Sequence, residues 1–459
     1  MLRVWLVLGV IACGSRPAAP PKPQPTDIDP GGSHREAVAA QLAPYVEGEL
    51  VWGVVIGLYD AGKLEIYGFG KGPGGKSPDG KTLFDLGTLT KPYTGLLLAE
   101  IVQRKEVELD APISDLMPTG VTIPTKDNVA ISAKHLALHS AGLPRQPGSL
   151  TARKPPPDPY ASYTEDALYQ DLITTTLATA PGTEIAVSDY GIGLLGFALG
   201  RKVGGGYALA LKTRILEPLG LTDTFLALPA GGASHKAIGT DDNLEPAPRW
   251  TWGVLAGAGA LVSNARDCLK FLDAQLDAAA GSRGVLRPQM RFAQEAALDR
   301  DGDNESIGWL IDPAGRRWYD GRTSGFRAYM GFDPKTRRGV VVLSSTATTL
   351  VDFLGPIMFE VLDGTAKPPA PAPTAAQLAT YAGNYDFSGT TLTVVVAGKR
   401  LYLEGPGEPR HRMAPYGERG FWIEDLSAGA KFVLAGETVK SMVFEVGGKR
   451  LNLPRLPTP

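Results

Sequence analysis

Apolar and polar positions alternate and recur along most of this chain in runs of readable length. His34 to Val46 has helical spacing. Val51 to Tyr59 and Lys63 to Phe69 read as strands, joined at Asp60-Ala-Gly62 by a hairpin turn. An apolar strand-like run ends at Gly87. From Thr88 to about Arg104 the period changes to that of a helix, with Leu96, Leu97, Ile101 and Val102 on one face and Pro92 in the first turns. A Pro-rich loop spans Ser149 to Tyr163. Helices are predicted over Thr164 to Ala178, over Leu209 to Leu219 and over Ala265 to Ala278, and Pro181 to Gly196 runs from a turn into another apolar helix. Trp318 to Ser324 and Arg327 to Phe332 read as strands around a Gly325 turn. Gly339 to Ser345 reads as a further strand, and Leu350 to Leu362 as a closing helix. After the stiff Lys367-Pro-Pro-Ala-Pro-Ala-Pro373 the texture changes. Leu392 to Val396, Arg400 to Leu403, Gly420 to Ile423, Ala430 to Leu434 and Val439 to Val446 are short strands with Gly-rich turns, the pattern of a small all-β sandwich or barrel.

The first unit mixes strands from both of its ends with helices between them. That predicts an α/β (α+β) body, an antiparallel sheet flanked by helices with a helical subdomain inserted. The expected divisions are 1–13, a leader; 14–32, a Pro-rich tether; 33–362, the mixed body; 363–374, a linker; and 375–459, the β domain. Met1 to Ala12 is short and apolar behind Arg3, as in a signal peptide. Val10-Ile-Ala-Cys13 resembles a bacterial lipobox, which implies lipidation at Cys13 and an envelope location held by that anchor alone. Only Cys268 then remains, so no internal disulfide is expected. Lys plus Arg number 46 and Asp plus Glu 48, for a net charge of -2, a balance that suggests neither nucleic acid nor an anionic membrane surface as partner.

Thr88 and Lys91 are three apart, so on a helix they share a face. A hydroxyl at a helix N-terminus with an amine one turn later is the arrangement of a Ser-x-x-Lys acyl-transfer site, with threonine as nucleophile. His135 and His139 are four apart, a spacing that puts them on one helical face, but a zinc site needs a third ligand and no third His or Cys is nearby; both read as structural.

Phe84-Asp-Leu-Gly-Thr-Leu-Thr-Lys-Pro-Tyr-Thr94 resembles the nucleophile segment of the β-lactamase-related serine hydrolases, which include class C β-lactamases, D-alanyl-D-alanine carboxypeptidases and related esterases. Leu109 to Met117, Ile131 to Pro144 and Gly257 to Asn264 resemble further segments of that family in order, and the likeness spans roughly Leu42 to Leu362. It implies the β-lactamase/transpeptidase-like fold, a peptidoglycan-like peptide or a small ester or amide as substrate, and no cofactor or metal. Tyr381-Ala-Gly-Asn-Tyr385 resembles the opening of a lipocalin-like domain often appended to the family.

The resemblance carries three motifs onto this chain. Ser-x-x-Lys becomes Thr88-Leu-Thr-Lys91. Tyr-x-Asn becomes Val187-Ser-Asp189, and the Lys/His-x-Gly motif becomes Tyr319-Asp-Gly321. Each departs from the pattern. Valine cannot carry a proton. A carboxylate at 189 favours the ammonium form of Lys91, which is then no general base. Tyr319 lacks positive charge. Backbone donors at Thr88 and around Arg322, with Gly321 and Ser188 in the same region, belong to the implied substrate and oxyanion region. Ser188 has no local base and is a poor substitute nucleophile. The sequence leaves four readings open. The cleft is that of an acyl hydrolase using Thr88 and Lys91; it is a ligand-binding cleft with weak or lost catalysis; it is rearranged so that Tyr190 or Tyr319 moves the proton; or the β domain makes the chain an adhesin-like scaffold.

Overall fold

The computed structural model describes residues 28–151, 156–295, 298–300 and 303–457. The leader and Cys13 therefore lie outside the described residues. The body is built on an eight-stranded antiparallel sheet. Its strands are β1 (Gly53–Asp60), β2 (Lys63–Gly70), β3 (Leu298–Arg300), β4 (Asp303–Glu305), β5 (Leu310–Ile311), β6 (Arg317–Arg322), β7 (Arg327–Asp333) and β8 (Arg338–Ser344). The spatial order is β2-β1-β8-β7-β6-β5-β4-β3, so the N-terminal hairpin docks onto strands nearly three hundred residues later, with Val54 opposite Ser344. Mixed strands from both chain ends in one sheet are what the sequence pattern implied.

β1 is buried on both faces, which is why it reads as one apolar run rather than an alternation. Val54, Ile56 and Leu58 pack under helices α1 (Arg35–Glu47) and α7 (Leu354–Asp363), against Val38, Leu42 and Met358. Val55 and Tyr59 belong to the larger cluster on the other face. There α6 (Ala265–Ala279) presses so close that a Cβ on Gly57 would lie 3.1 Å from Leu269 Cδ1.

The Thr88 segment differs from its predicted form in two ways. Residues Gly87–Thr90 form a 3-10 turn, and the helix proper, α2 (Lys91–Gln103), starts at Lys91. Gly87 has φ +53, and a Cβ there would meet Arg322 O at 2.3 Å; this close approach of β6 tightens the turn. The periodicity also implied one buried face, yet α2 is buried all round from Lys91 to Ile101, covered by neighbouring helices and, at Gly95, by the backbone of Ile307 and Gly308. A third difference concerns the histidines. Helix α3 (Ala133–Ala137) ends before His139, whose φ is +54, so His135 and His139 do not share a helical face.

Beyond the body, β9 (Gly383–Phe387), β10 (Thr390–Ala397), β11 (Arg400–Glu404), β12 (His411–Pro415), β13 (Gly420–Ile423), β14 (Ala428–Ala435), β15 (Thr438–Val446) and β16 (Lys449–Pro454) pair each with the next. A bridge from Tyr385 to Arg455 brings the first strand back beside the last, so this all-β domain approaches a closed barrel around Tyr385, Phe421 and Phe432.

Candidate active site

A cleft of about 770 Å³ opens where the turn before α2, the start of α5 (Asp189–Val203) and the end of β6 converge. Thr88, Lys91, Val187, Asp189, Tyr319 and Arg322 all line it. Residues from three distant segments thus meet as the motif alignment implied.

The Thr88 hydroxyl donates to Asp320 O at 3.2 Å and accepts from the Arg322 N–H at 3.3 Å. The hydroxyl therefore sits against a backbone donor of the β6 edge. Gly321 makes this approach possible: a Cβ on it would lie 1.9 Å from Leu86 O. Gly321 is buried under the turn and serves as a spacer for it.

Lys91 Nζ lies 3.0 Å from Asp189 Oδ1, and the two side chains are only 4% and 5% exposed. The pair is an ion pair closed off from water on both sides. Asp189 sits in the first turn of α5, where the helix dipole favours a carboxylate. Its other oxygen accepts from Gln146 Nε2 at 3.0 Å and lies 3.8 Å from Arg145 Nε. Lys91 Nζ also stands 5.8 Å from the centre of the Tyr319 ring. Val187 presents two methyl groups where the proton carrier of the family pattern would stand.

Two of the sequence candidates are not brought into the cleft. Ser188 is buried and caps α5: its Oγ accepts from Gly191 N–H at 2.9 Å and donates to Pro144 O at 2.7 Å. Both of its hydrogen-bonding roles are spent on the backbone, so it contributes no group to a substrate. Tyr190 points into the core with no exposed surface, and burial pushes its phenol well above the usual range. It is no proton carrier for this cleft.

Other residues of the site were not legible beforehand. Tyr160, Trp250 and Trp252 form an aromatic wall, with Tyr160 stacked on Trp252 at 4.4 Å between ring centres. Arg145 adds an exposed cation at the rim. The β domain also reaches this rim. Glu424 accepts from the N–H and Oγ1 of Thr349 at 2.9 and 2.6 Å and lies 3.8 Å from Arg322 Nη1. Behind Tyr319 lies His139, with Nε2 3.4 Å from the phenol oxygen, and Glu305 Oε1 lies 3.9 Å from that same nitrogen. His139 falls in the Ile131–Pro144 match but reads there as structural; Glu305 stands in a polar stretch with no local signal.

Comparison with known proteins agrees with this geometry. The profile of the family described as Beta-lactamase matches residues 38–362. A β-lactamase of Yersinia enterocolitica is 25% identical over 345 residues, covering 66% of this chain and 84% of the relative. The D-alanyl-D-alanine-carboxypeptidase/endopeptidase AmpH of Escherichia coli K12 is 24% identical over 273 residues, covering 56% of this chain and 69% of its own. A β-lactamase of the same strain is 24% identical over 348 residues, or 68% and 88% of the two chains. With Thr88, Lys91, Asp189 and Tyr319 gathered in one cleft and the profile spanning the whole α/β body, the chain belongs to the β-lactamase family of serine hydrolases.

Proposed function

We propose that this protein is a lipid-anchored envelope member of the family, with a cleft that binds a peptidoglycan-like peptide or a protein ligand and with weak or lost acyl transfer. The reading rests chiefly on the Lys91–Asp189 ion pair, 3.0 Å long and shut away from water. A paired ammonium cannot take the proton of Thr88, and Val187 cannot take it either. The Thr88 side chain adds a methyl group that restricts χ1 and crowds the attacking oxygen. A peptide ligand suits an aromatic wall with Arg145 at its rim, and one relative carries a D-alanyl-D-alanine carboxypeptidase name. Lipidation at Cys13, with residues 14–32 as tether, would place the body at a bacterial membrane surface.

The second reading, an acyl hydrolase using Thr88 and Lys91, is favoured by one observation: the Arg322 N–H still faces the Thr88 hydroxyl. Intact mass of the purified full-length protein after incubation with β-lactams and activated esters separates the two, with Thr88→Ala alongside. No adduct in either protein is expected. An adduct of one acyl group that Thr88→Ala abolishes overturns the binding reading.

A further inference from the structure

The opposite face of the sheet edge carries a second cavity. Trp318 and Asp320 alternate with Tyr319 along β6, so they share the other face, and Tyr329 of β7 stands across from Asp320. Helix α7 packs on that face, where Leu354 and Met358 belong to one cluster with Tyr329. Beside the first turn of α7 a cavity of about 400 Å³ stays open between Asp312, Trp318, Asp320, Tyr329, Asp352 and Phe353. Trp318 and Asp320 also line the cleft, so the two spaces adjoin. The rings come first: Trp318 and Tyr329 are stacked, at 6.1 Å between centres and 17° between planes, and Phe353 is 42% exposed. Three carboxylates stand around them. Arg327 joins two, reaching Asp320 Oδ2 at 3.3 Å and both oxygens of Asp352. Arg316, a further neighbouring cation, is turned to Asp363 at 3.3 Å. Asp312 uses only Oδ1, on the Arg316 N–H at 2.8 Å. That leaves Asp312 Oδ2 and Asp320 Oδ1 without a hydrogen bond among the described residues. Tyr329 is only 6% exposed, and its hydroxyl has no hydrogen-bond partner among them either. Burial first, then the Asp312 charge, pushes that phenol well above the usual range, so it stays a neutral hydroxyl able to donate and accept.

We propose that this cavity binds an organic primary ammonium group, the end of a lysine-type side chain or a free alkylamine. An ammonium brings a positive charge and three donors. The cavity supplies unused oxygens on Asp312, Asp320 and Tyr329, surplus negative charge, and aromatic faces that attract a cation. An anion is repelled by the carboxylates. A neutral apolar group displaces water from the same oxygens without replacing its hydrogen bonds. The site does not depend on how the cleft itself is read, since neither an acyl-transfer step nor a bound peptide enters the argument.

The test is proton–nitrogen NMR of the full-length protein carrying nitrogen-labelled tryptophan, the Trp318 indole signal being the one lost in Trp318→Phe. Nα-acetyl-lysine amide should move that signal saturably. Nα-acetyl-norleucine amide, with the same carbon stem and no charge, should not. The trimethylated lysine amide keeps the charge but has no N–H at its head, and should bind about tenfold more weakly or worse. Asp312→Asn keeps an oxygen for the Arg316 N–H and removes the charge, so the lysine amide should bind about tenfold more weakly. Tyr329→Phe removes only the hydroxyl and should weaken binding severalfold. n-Butylamine separates the sources: equal affinity assigns the site to a free amine, and clearly weaker binding assigns it to a peptide side chain, either of which supports the ammonium site. A Trp318 signal that stays still, that moves equally with the norleucine amide, or that titrates identically in Asp312→Asn overturns the proposal. If Asp312→Asn does not fold, unchanged affinity in Tyr329→Phe, or equal affinity for the trimethylated amide, overturns it. Binding is read without turnover, so the outcome is separate from the mass experiment on Thr88.

Discussion

Replacing Asp189 by asparagine isolates the charge that holds Lys91. Asparagine keeps the shape and keeps an oxygen for the lysine. Gln146 now donates to Asp189 Oδ2, and its own Oε1 is buried without a hydrogen-bond partner. Turning the Gln146 amide over lets that oxygen accept from the new asparagine N–H, so no polar atom is stranded. What is lost is the attraction between unit charges 3.0 Å apart. At an effective dielectric constant of about 20 that attraction is roughly 5–6 kcal/mol. The asparagine oxygen facing the amine recovers part of it by its dipole, which leaves a net loss of about 3 kcal/mol, in line with breaking buried pairs from one side. Arg145 also faces Asp189, at 3.8 Å, but it is 69% exposed and adds little. Urea denaturation with an unchanged slope reads the loss. Lys91→Met, alone and in the Asp189→Asn background, completes the cycle, and the two changes together should be milder than their sum by about 2 kcal/mol or more. The same asparagine relieves Lys91 of its counter-charge, so acylation of Thr88 by an activated ester should rise. A coupling energy below about 1 kcal/mol would refute the claim that Asp189 holds Lys91, and the main support for weak catalysis would go with it.

Three further outcomes follow from the same geometry. Thr88→Ser alone should leave acylation within about tenfold of the parent, whereas Thr88→Ser with Val187→Tyr, Asp189→Asn and Tyr319→His should exceed the single change by far, because such groups act as a unit; stopped-flow acylation compares them, and full activity from Thr88→Ser alone sinks the account of Val187 and Asp189. Gly321→Ala drives a Cβ into Leu86 O and to 2.7 Å from Leu89 N, backbone atoms that cannot swing aside, so a loss on the order of 3 kcal/mol is expected by urea denaturation, and unchanged stability would show the turn to be looser than described. Burial first, then repulsion from Asp425 of the β domain, pushes the Asp242 carboxyl up to about 6 from 3.8. A raised carboxyl contributes stability that is present below pH 3.8 and lost as pH rises through 6. Thermal stability should therefore fall by about 1–2 kcal/mol over that window, after screening, and Asp242→Asn should flatten the slope.

Some of this was written locally. Thr88 and Lys91 meet because they are three residues apart, and the order of motif segments along the chain carried the family. The β1–β2 hairpin followed from a turn at Asp60-Ala-Gly62, and each strand of the β domain pairs with its sequence neighbour. Periods and turns report on residues a few positions apart, so features made of such neighbours are legible in the amino-acid order. The same signals reported the apolar face of α2 but not what covers its other sides, and they made His135 and His139 a helical pair that a left-handed backbone at His139 undoes.

The chemistry of the cleft was decided at longer range. Lys91 meets Asp189 across 98 residues, and Tyr319 meets His139 across 180. The sequence named the substituted positions at 187, 189 and 319, but whether the carboxylate at 189 lies beside the amine at 91 depends on how α5 packs against α2. Ser188, one position away from Asp189, turns inward to cap the same helix and leaves the site altogether. Glu305 carries no pattern of its own and meets His139 only because β4 carries it there. A hydrogen bond or ion pair is won or lost within about an ångström. Local propensity fixes which element a side chain rides on, and only the packed core fixes that last ångström between elements far apart in the chain.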